Sequence, residues 1–162
     1  MNLEKLFSLQ KTLDTQIQMN HDLAGKSLLA QKVLYLQVSL GSLAAETGCY
    51  KFWGEKKTEN KNVLLDKYIE CLYSILTIGL EKDFADICDI NFNPSSTDLT
   101  NQFINLSIDV NDFIVCSSKD HYITLFEDFL SLGNSLNFSE KDIESNYEKS
   151  YKYKASFSLV LN

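Results

Sequence analysis

Residues Val63 to Leu80 read VLLDKYIECLYSILTIGL and decide the fold of this chain. Their apolar side chains recur at helical spacing and cover much of the helix circumference rather than one stripe. A helix of that kind is buried, either inside a domain or at a subunit interface. We therefore predict that this segment is the central helix of the protein.

The stretch before this helix, Gly54 to Lys61, reads GEKKTENK and has no apolar periodicity, which predicts a loop. Four lysines lie in or beside it: Lys51, Lys56, Lys57 and Lys61. They form either a solvated charged turn or a local rim that binds phosphate. The sequence leaves both interpretations open.

Two further helices are predicted upstream. Residues Leu3 to Met19 carry one apolar face, and Gln10 lies within it, where a buried and satisfied hydrogen-bonding group is expected. The second helix is predicted to start with Ser27 as its N-cap and to end near Gly48.

Downstream of the central helix, apolar periodicity returns after the turn FNPSS, so Ser96 or Thr97 is the expected cap of a fourth helix. SSKD, Ser117 to Asp120, opens a fifth, which we expect to close at Gly133 as a C-terminal glycine. With one more helix to follow, the fold class is all-α, a bundle of about six helices.

The sixth helix is predicted to begin with Ser139 and Asp142, an acidic variant of the capping box. From Lys149 to Asn162 apolar residues alternate with others, which is typical of a strand or an extended arm, although a frayed terminus is an equal alternative. We therefore divide the chain into an all-α domain, residues 1–150, and an irregular or extended C-terminal tail, residues 151–162.

Composition agrees with one helical domain. The chain has 162 residues, of which 44% are hydrophobic and 12% aromatic, enough to fill a core. One proline and six glycines are too few for the many turns of an all-β sandwich or barrel. The net charge of −7 argues against binding to nucleic acid or to an anionic membrane, because both need a positive surface.

The four cysteines, Cys49, Cys71, Cys88 and Cys116, have no metal-ligand spacing and are expected to be reduced thiols. The N-terminus MNLEKLFSLQ has no apolar stretch of signal-peptide type, and no run is long enough to span a membrane. These features predict a soluble cytoplasmic protein.

Several segments in the same order resemble the all-α dimeric dUTPase family, which is related to the MazG-type nucleotide pyrophosphatases. They are LEKLFSLQKTLDTQI, CYKFWGEKK, LLDKYIECLYSILTIGLE and FEDFLSLGNSLNFSEKDIESNY. The resemblance implies a helical homodimer and an ancestral activity, the magnesium-dependent hydrolysis of dUTP to dUMP and pyrophosphate.

The resemblance also locates the family's metal site, an ExxE pair on the second helix and an ExxD pair on the third. Residues three apart share a helical face, so two such pairs hold magnesium between them. The corresponding positions here are Ser39, Ser42, Lys67 and Glu70. Four carboxylates with a charge of −4 are thus replaced by two neutral hydroxyls, one ammonium and one carboxylate, with no net charge. An ammonium about 4 Å from Mg²⁺ would repel it by roughly 8 kcal/mol at an effective dielectric constant of 20.

A shifted metal site is the alternative. Asp66 and Glu70 share one face of the third helix, and Glu46 lies one turn beyond Ser42, so these three carboxylates are the candidate ligands of a displaced magnesium ion. Otherwise they pair with lysines, and Lys67 is expected to pair with Glu46 and Glu70.

The resemblance marks Gln10, Lys51, Phe52 and Trp53 as candidate nucleotide-binding residues, because they match the family. Phe52 and Trp53 are otherwise expected in the core or the dimer interface. The family's C-terminal signature, approximately KNxxNxxRQxxGY, is replaced here by KSYKYKASFSLVLN.

These differences predict a dUTPase-like pseudoenzyme with no catalytic residues and no metal cofactor. It would form a homodimer and bind a nucleotide such as dUTP or dUMP, or a protein partner; an intact paralogue in a heterodimer is one such partner. The alternative is an active dUTP diphosphatase that uses the shifted magnesium site. A tail of tyrosines and lysines that binds single-stranded nucleic acid is the weakest interpretation, because the overall charge is negative.

Overall fold

The computed structural model describes residues 1–20, 23, 25–54, 60–87, 90 and 94–158. These residues form six α-helices and no β-strand. In chain order the helices are α1 (Leu3–Asn20), α2 (Leu29–Thr47), α3 (Lys61–Glu81), α4 (Leu99–Val115), α5 (Lys119–Ser135) and α6 (Glu140–Ser158). One cluster of buried apolar side chains draws on all six, so they share a core. The predicted all-α bundle is confirmed.

Helix α3 lies at the centre of the bundle. Twelve of its 21 residues are buried, and it packs against α1, α2, α5 and α6. Three successive residues, Cys71, Leu72 and Tyr73, are all buried although their side chains point in different directions around the helix. The central position predicted from the apolar circumference of this segment is therefore confirmed.

Side-chain caps begin five of the six helices, and two of them are Asn2 at α1 and Ser139 at α6. Asn60 caps α3, Asp98 caps α4 and Ser118 caps α5, each by accepting hydrogen bonds from backbone N–H groups of the first turn. The prediction of Ser96 or Thr97 for α4 is wrong by one or two residues. Asp98 directly precedes the first helical residue, and its carboxylate is the stronger acceptor for the free N–H groups.

Helix α2 also begins later than predicted, because Leu28 rather than Ser27 occupies the cap position, with no side-chain cap. The Leu28 backbone N–H donates instead to the Glu81 carboxylate at 3.1 Å, and Lys32 pairs with the same carboxylate at 2.7 Å. The other end of α2 is as predicted, since Gly48 terminates it with a left-handed φ of 60°.

Gly133 does not end α5, which continues to Ser135. Gly133 instead leaves room for Tyr68. A Cβ at this position would lie 2.5 Å from the Tyr68 hydroxyl oxygen and 2.7 Å from its Cζ. Tyr68 is fully buried and donates a hydrogen bond to the Phe129 carbonyl at 3.2 Å. The glycine is thus needed where α3 and α5 approach each other most closely.

The predicted capping box at the start of α6 is confirmed. The Asp142 carboxylate accepts from the Ser139 backbone N–H at 3.0 Å, and the Ser139 hydroxyl accepts from the Asp142 backbone N–H at 3.1 Å. Both residues thereby satisfy N–H groups that have no partner within the helix.

The extended tail predicted for residues 151–162 is corrected, because α6 continues without a break to Ser158. Residues 159–162 lie outside the described part of the chain. Ile143, Tyr147 and Tyr151 continue a helical face into the core. Extending an existing helix adds a hydrogen bond per residue, so this cooperative gain outweighs a short alternating pattern. No helix in the described part of the chain is long and apolar enough to cross a membrane.

Candidate functional site

The four positions that the resemblance aligns with the family's metal ligands, Ser39, Ser42, Lys67 and Glu70, lie on the adjacent helices α2 and α3. Ser39 is buried, with 4% of its surface exposed, and Ser42 is partly exposed one turn later. On α3, the Lys67 ammonium donates to the Glu70 carboxylate at 3.4 Å, and both side chains are 38% exposed. The predicted pairing of Lys67 with Glu70 is confirmed.

Tyr35 links the two helices at this point. Its hydroxyl lies near the side chains of Ser39 and Glu70, both of which influence its pKa. Burial, followed by the nearby negative charge of Glu70, raises the pKa of Tyr35. The hydroxyl therefore stays protonated and neutral at pH 7.

This donor set does not fit magnesium. Mg²⁺ requires hard, anionic oxygen ligands in an octahedron, but Ser39 and Ser42 offer only neutral hydroxyls. The single carboxylate, Glu70, already pairs with the Lys67 ammonium. A divalent ion would have to displace one positive charge without gaining a second carboxylate from these positions.

The alternative carboxylates do not assemble into a metal site either. Asp66 is exposed, whereas Glu46 and Glu70 are partly buried. Over the described ranges of the chain, no group of three or more His, Cys, Asp or Glu side chains is placed to hold a metal ion. Within the same ranges, the ion pair of Lys67 is with Glu70, and the predicted partner Glu46 does not take part.

Gln10 is the centre of a hydrogen-bonded chain between α1, α3 and α6. The Tyr147 hydroxyl donates to the Gln10 carbonyl oxygen at 2.7 Å, and the Gln10 amide donates to Asp14 at 2.7 Å. The Thr77 hydroxyl donates to the second oxygen of Asp14 at 2.5 Å. Gln10 is only 3% exposed, so the prediction of a buried and satisfied polar group is confirmed.

A cavity of about 210 Å³ lies beside this chain of hydrogen bonds. Its walls combine polar groups, aromatic rings and aliphatic side chains. The lining includes Gln10, Asp14, Ile17, Tyr35, Tyr73, Thr77 and Lys154. The Lys154 ammonium lies 3.8 Å from the centre of the Tyr73 ring, a cation–π contact. Burial lowers the pKa of Lys154, while the charge of Glu70 acts in the opposite direction.

A second cavity, of about 580 Å³, continues along α3 toward its N-terminus. One wall is the α3 face that carries Lys67 and Glu70, and the other is the α6 face that carries Lys149 and Lys154. Lys154 lines both cavities, so its side chain marks the boundary between them.

The remaining candidates, Lys51, Phe52 and Trp53, are not part of either cavity's described lining. Phe52 is 92% exposed and Trp53 is 65% exposed, and their rings meet edge to face at 4.8 Å. They therefore do not lie in the core of this chain. Lys56 and Lys57, part of the predicted lysine rim, lie outside the described residues.

The site contains residues that sequence reasoning did not assign to it. Tyr35, Tyr73 and Lys154 line the smaller cavity, yet no motif marked them. The available signal was spacing, because Tyr147 and Lys154 are two turns apart and share one face of a continuous α6. Interpreting the last segment as an extended tail removed that signal.

The structure is an all-α bundle with a polar cavity between α1, α3 and α6. A second cavity beside it is lined by Lys67, at one of the positions aligned with metal ligands, and by Lys149 and Lys154. A family model described as dUTPase matches residues 2–154. The chain therefore belongs to the dUTPase family. No match was found among curated proteins or among solved structures.

Proposed function

We propose that this member of the dUTPase family binds a pyrimidine nucleotide without hydrolysing it. The proposal is supported by the Lys67 ammonium beside Glu70, at two of the positions that the resemblance aligns with metal ligands, and by the neutral, buried Ser39 at a third. Magnesium would orient the attacking water and neutralise the triphosphate in a metal-dependent hydrolase. Among the described residues no group of carboxylates is placed to hold such an ion, and the hydroxyls and the ammonium at the aligned positions do not supply these roles.

The smaller cavity supports retained binding. At about 210 Å³ it is smaller than a typical pocket for a drug-sized ligand, so it suits a single base rather than a whole nucleotide. Tyr35 and Tyr73 supply aromatic surface, and the Gln10 amide and Thr77 hydroxyl are held in place by Asp14. A flat, polar-edged pyrimidine matches this combination of aromatic walls and oriented polar groups.

The first experiment measures turnover. Purified protein is incubated with dUTP and Mg²⁺, and dUMP and pyrophosphate are quantified. We expect no product above the uncatalysed rate. Turnover that disappears in Asp66→Asn or Glu70→Gln, but persists in Asp120→Asn as a surface control, would support the shifted magnesium site and an active dUTP diphosphatase.

The second experiment measures binding by thermal shift with dUMP and dUTP. A ligand at a hundred times its Kd stabilises the folded state by about 2.7 kcal/mol, so binding is measurable as an increased Tm. Ile17 lines the cavity and is 40% exposed. We expect Ile17→Trp to obstruct the cavity and abolish the shift. Met19, which is 78% exposed on the same helix, provides the control Met19→Trp.

Absence of a shift at millimolar nucleotide in the unmodified protein would contradict nucleotide binding. It would favour the alternative, in which the protein acts through a protein partner. The exposed rings of Tyr50, Phe52 and Trp53 would then be the surface to test, because solvent-exposed aromatic side chains in contact with each other are typical of binding surfaces.

We also propose that the protein is a homodimer. Leu34 and Val38 on α2, and Ile104 and Ile108 on α4, are each more than half exposed and recur at helical spacing. Helices α2 and α4 pack side by side, which supports one apolar surface formed by both. A second copy of the chain covering this surface would remove it from water.

A further inference from the structure

The two cavities form consecutive parts of one groove along α3. Glu70 lines the larger cavity and Tyr73, three residues later, lines the smaller one. Lys154 of α6 lies between them and lines both. A ligand that occupies both parts must therefore contact Lys154, with one portion near Gln10 and the other near Lys67.

The larger cavity has a net positive lining. Three lysines, Lys67, Lys149 and Lys154, face two carboxylates, Asp66 and Glu70, which leaves a formal charge of +1. The charge at the family's metal positions is −4 when all four carboxylates are present. The four aligned positions of this chain carry no net charge, so the lining as a whole attracts an anion rather than a cation.

The Lys154 ammonium is positioned to bind an anion in the groove. It lies over the Tyr73 ring rather than extending into water, and within the described part of the chain the ion pairs do not include it. Its partial removal from solvent lowers its pKa, so a phosphate beside it would restore a favourable environment for the charged form.

We propose that this groove binds the phosphate of a nucleoside monophosphate directly through Lys67, Lys149 and Lys154, without a divalent metal ion. The inference rests on the proposed nucleotide binding and specifies its ligand class. Lysine ammoniums bind phosphate as point charges with several donors each, so they supply the neutralisation that magnesium supplies in a metal-dependent site.

Charge favours a monophosphate over a triphosphate. A phosphate monoester carries about −1.5 to −2 at pH 7, which the net charge of +1 on the lining offsets in large part. A triphosphate adds about two more negative charges, and in this groove they would meet Asp66 and Glu70 with no metal ion to screen them. The expected order of affinity is therefore the reverse of that of an enzyme that selects triphosphates with magnesium.

Isothermal titration calorimetry of the full chain in EDTA, with deoxyuridine, dUMP and dUTP, tests the proposal. We expect dUMP to bind at least about tenfold more tightly than deoxyuridine, which corresponds to one charge-assisted hydrogen bond. We also expect dUMP to bind more tightly than dUTP, and excess Mg²⁺ to leave the affinity for dUMP unchanged.

Variants locate the effect. Lys67→Met and Lys149→Met should each reduce the affinity for dUMP toward that for deoxyuridine and leave deoxyuridine binding unchanged. Lys152 is exposed on α6 and does not line the described groove, so Lys152→Met is the matched control and should change nothing. Equal effects of all three variants would indicate general screening by surface charge and would overturn the assignment.

The outcomes separate this proposal from the one on which it rests. Equal affinity for deoxyuridine and dUMP, or dUMP binding that requires Mg²⁺, would overturn phosphate recognition by lysine while nucleotide binding stands. Failure of all three ligands to bind would overturn both.

Discussion

The contact between Gly133 and Tyr68 makes Gly133→Ala a sensitive test of how α3 and α5 pack. The added methyl group would lie 2.5 Å from the Tyr68 hydroxyl oxygen and 2.7 Å from its Cζ, well inside van der Waals contact. Tyr68 has no free space in which to move, because it is fully buried and stacked on Phe129 with ring centres 4.3 Å apart.

Three contributions determine the size of the effect. Forcing an extra carbon into a filled core costs about 1 to 3 kcal/mol. Loss of the hydrogen bond from Tyr68 to the Phe129 carbonyl costs about 1 kcal/mol. Replacing a helical glycine by alanine offsets these costs by up to about 1 kcal/mol. The free energy of unfolding should therefore fall by about 1 to 3 kcal/mol.

The assay is urea denaturation followed by circular dichroism, with both variants at one protein concentration. The matched control is Gly41→Ala on α2, where an added Cβ meets no atom within 4 Å. We expect that control to be stabilised by up to about 1 kcal/mol. If Gly133→Ala were stabilised as much as Gly41→Ala, the close approach of α3 and α5 at Tyr68 would be refuted.

Three further predictions concern other parts of the chain. Burial, followed by the charge of Asp128, raises the pKa of Asp109 to about 7. Because this pKa is higher in the folded than in the unfolded state, the folded protein loses stability as the pH rises from the carboxyl's ordinary pKa of 3.8 through about 7. In urea denaturation, the Asp109→Asn variant should therefore become more stable relative to the unmodified protein as the pH rises from 3.8 to about 7. A difference in unfolding free energy that did not change with pH would contradict this. Ile108→Glu should convert the proposed homodimer to a monomer in light scattering, since it places charge on an apolar surface; an unchanged mass would exclude that surface. Tyr147→Phe leaves the Gln10 carbonyl oxygen without its 2.7 Å donor and should cost about 1 to 3 kcal/mol, whereas a loss below about 0.5 kcal/mol would show that the bond contributes little.

The helices of this fold were predictable because their signals are local. The apolar circumference of α3, the capping box at Ser139 and the terminating Gly48 each involve residues within one or two turns. Gly133 was not predictable in this way. Its role depends on Tyr68 from another helix, and a glycine close to a helix end has the same local signature whether it terminates the helix or makes room for a neighbour.

The site was predictable in part. The resemblance placed Ser39, Lys67 and Glu70 at the former metal positions, and the pairing of Lys67 with Glu70 followed from their spacing of three residues. The position of Lys154 did not follow, because it requires both a continuous α6 and its docking beside Tyr73. Neither condition is encoded in the alternating pattern at the C-terminus, which by itself favours a strand.

The central claim is that the former metal positions no longer hold a divalent ion, and a Mn²⁺ titration tests it most directly. Mn²⁺ shares the preference of Mg²⁺ for hard oxygen ligands, and its free concentration is measurable by electron paramagnetic resonance. We expect no saturable binding to the unmodified chain at these positions. Saturable binding of one ion per chain that is lost in Glu70→Gln, yet retained in the surface variant Glu148→Gln, would contradict the account.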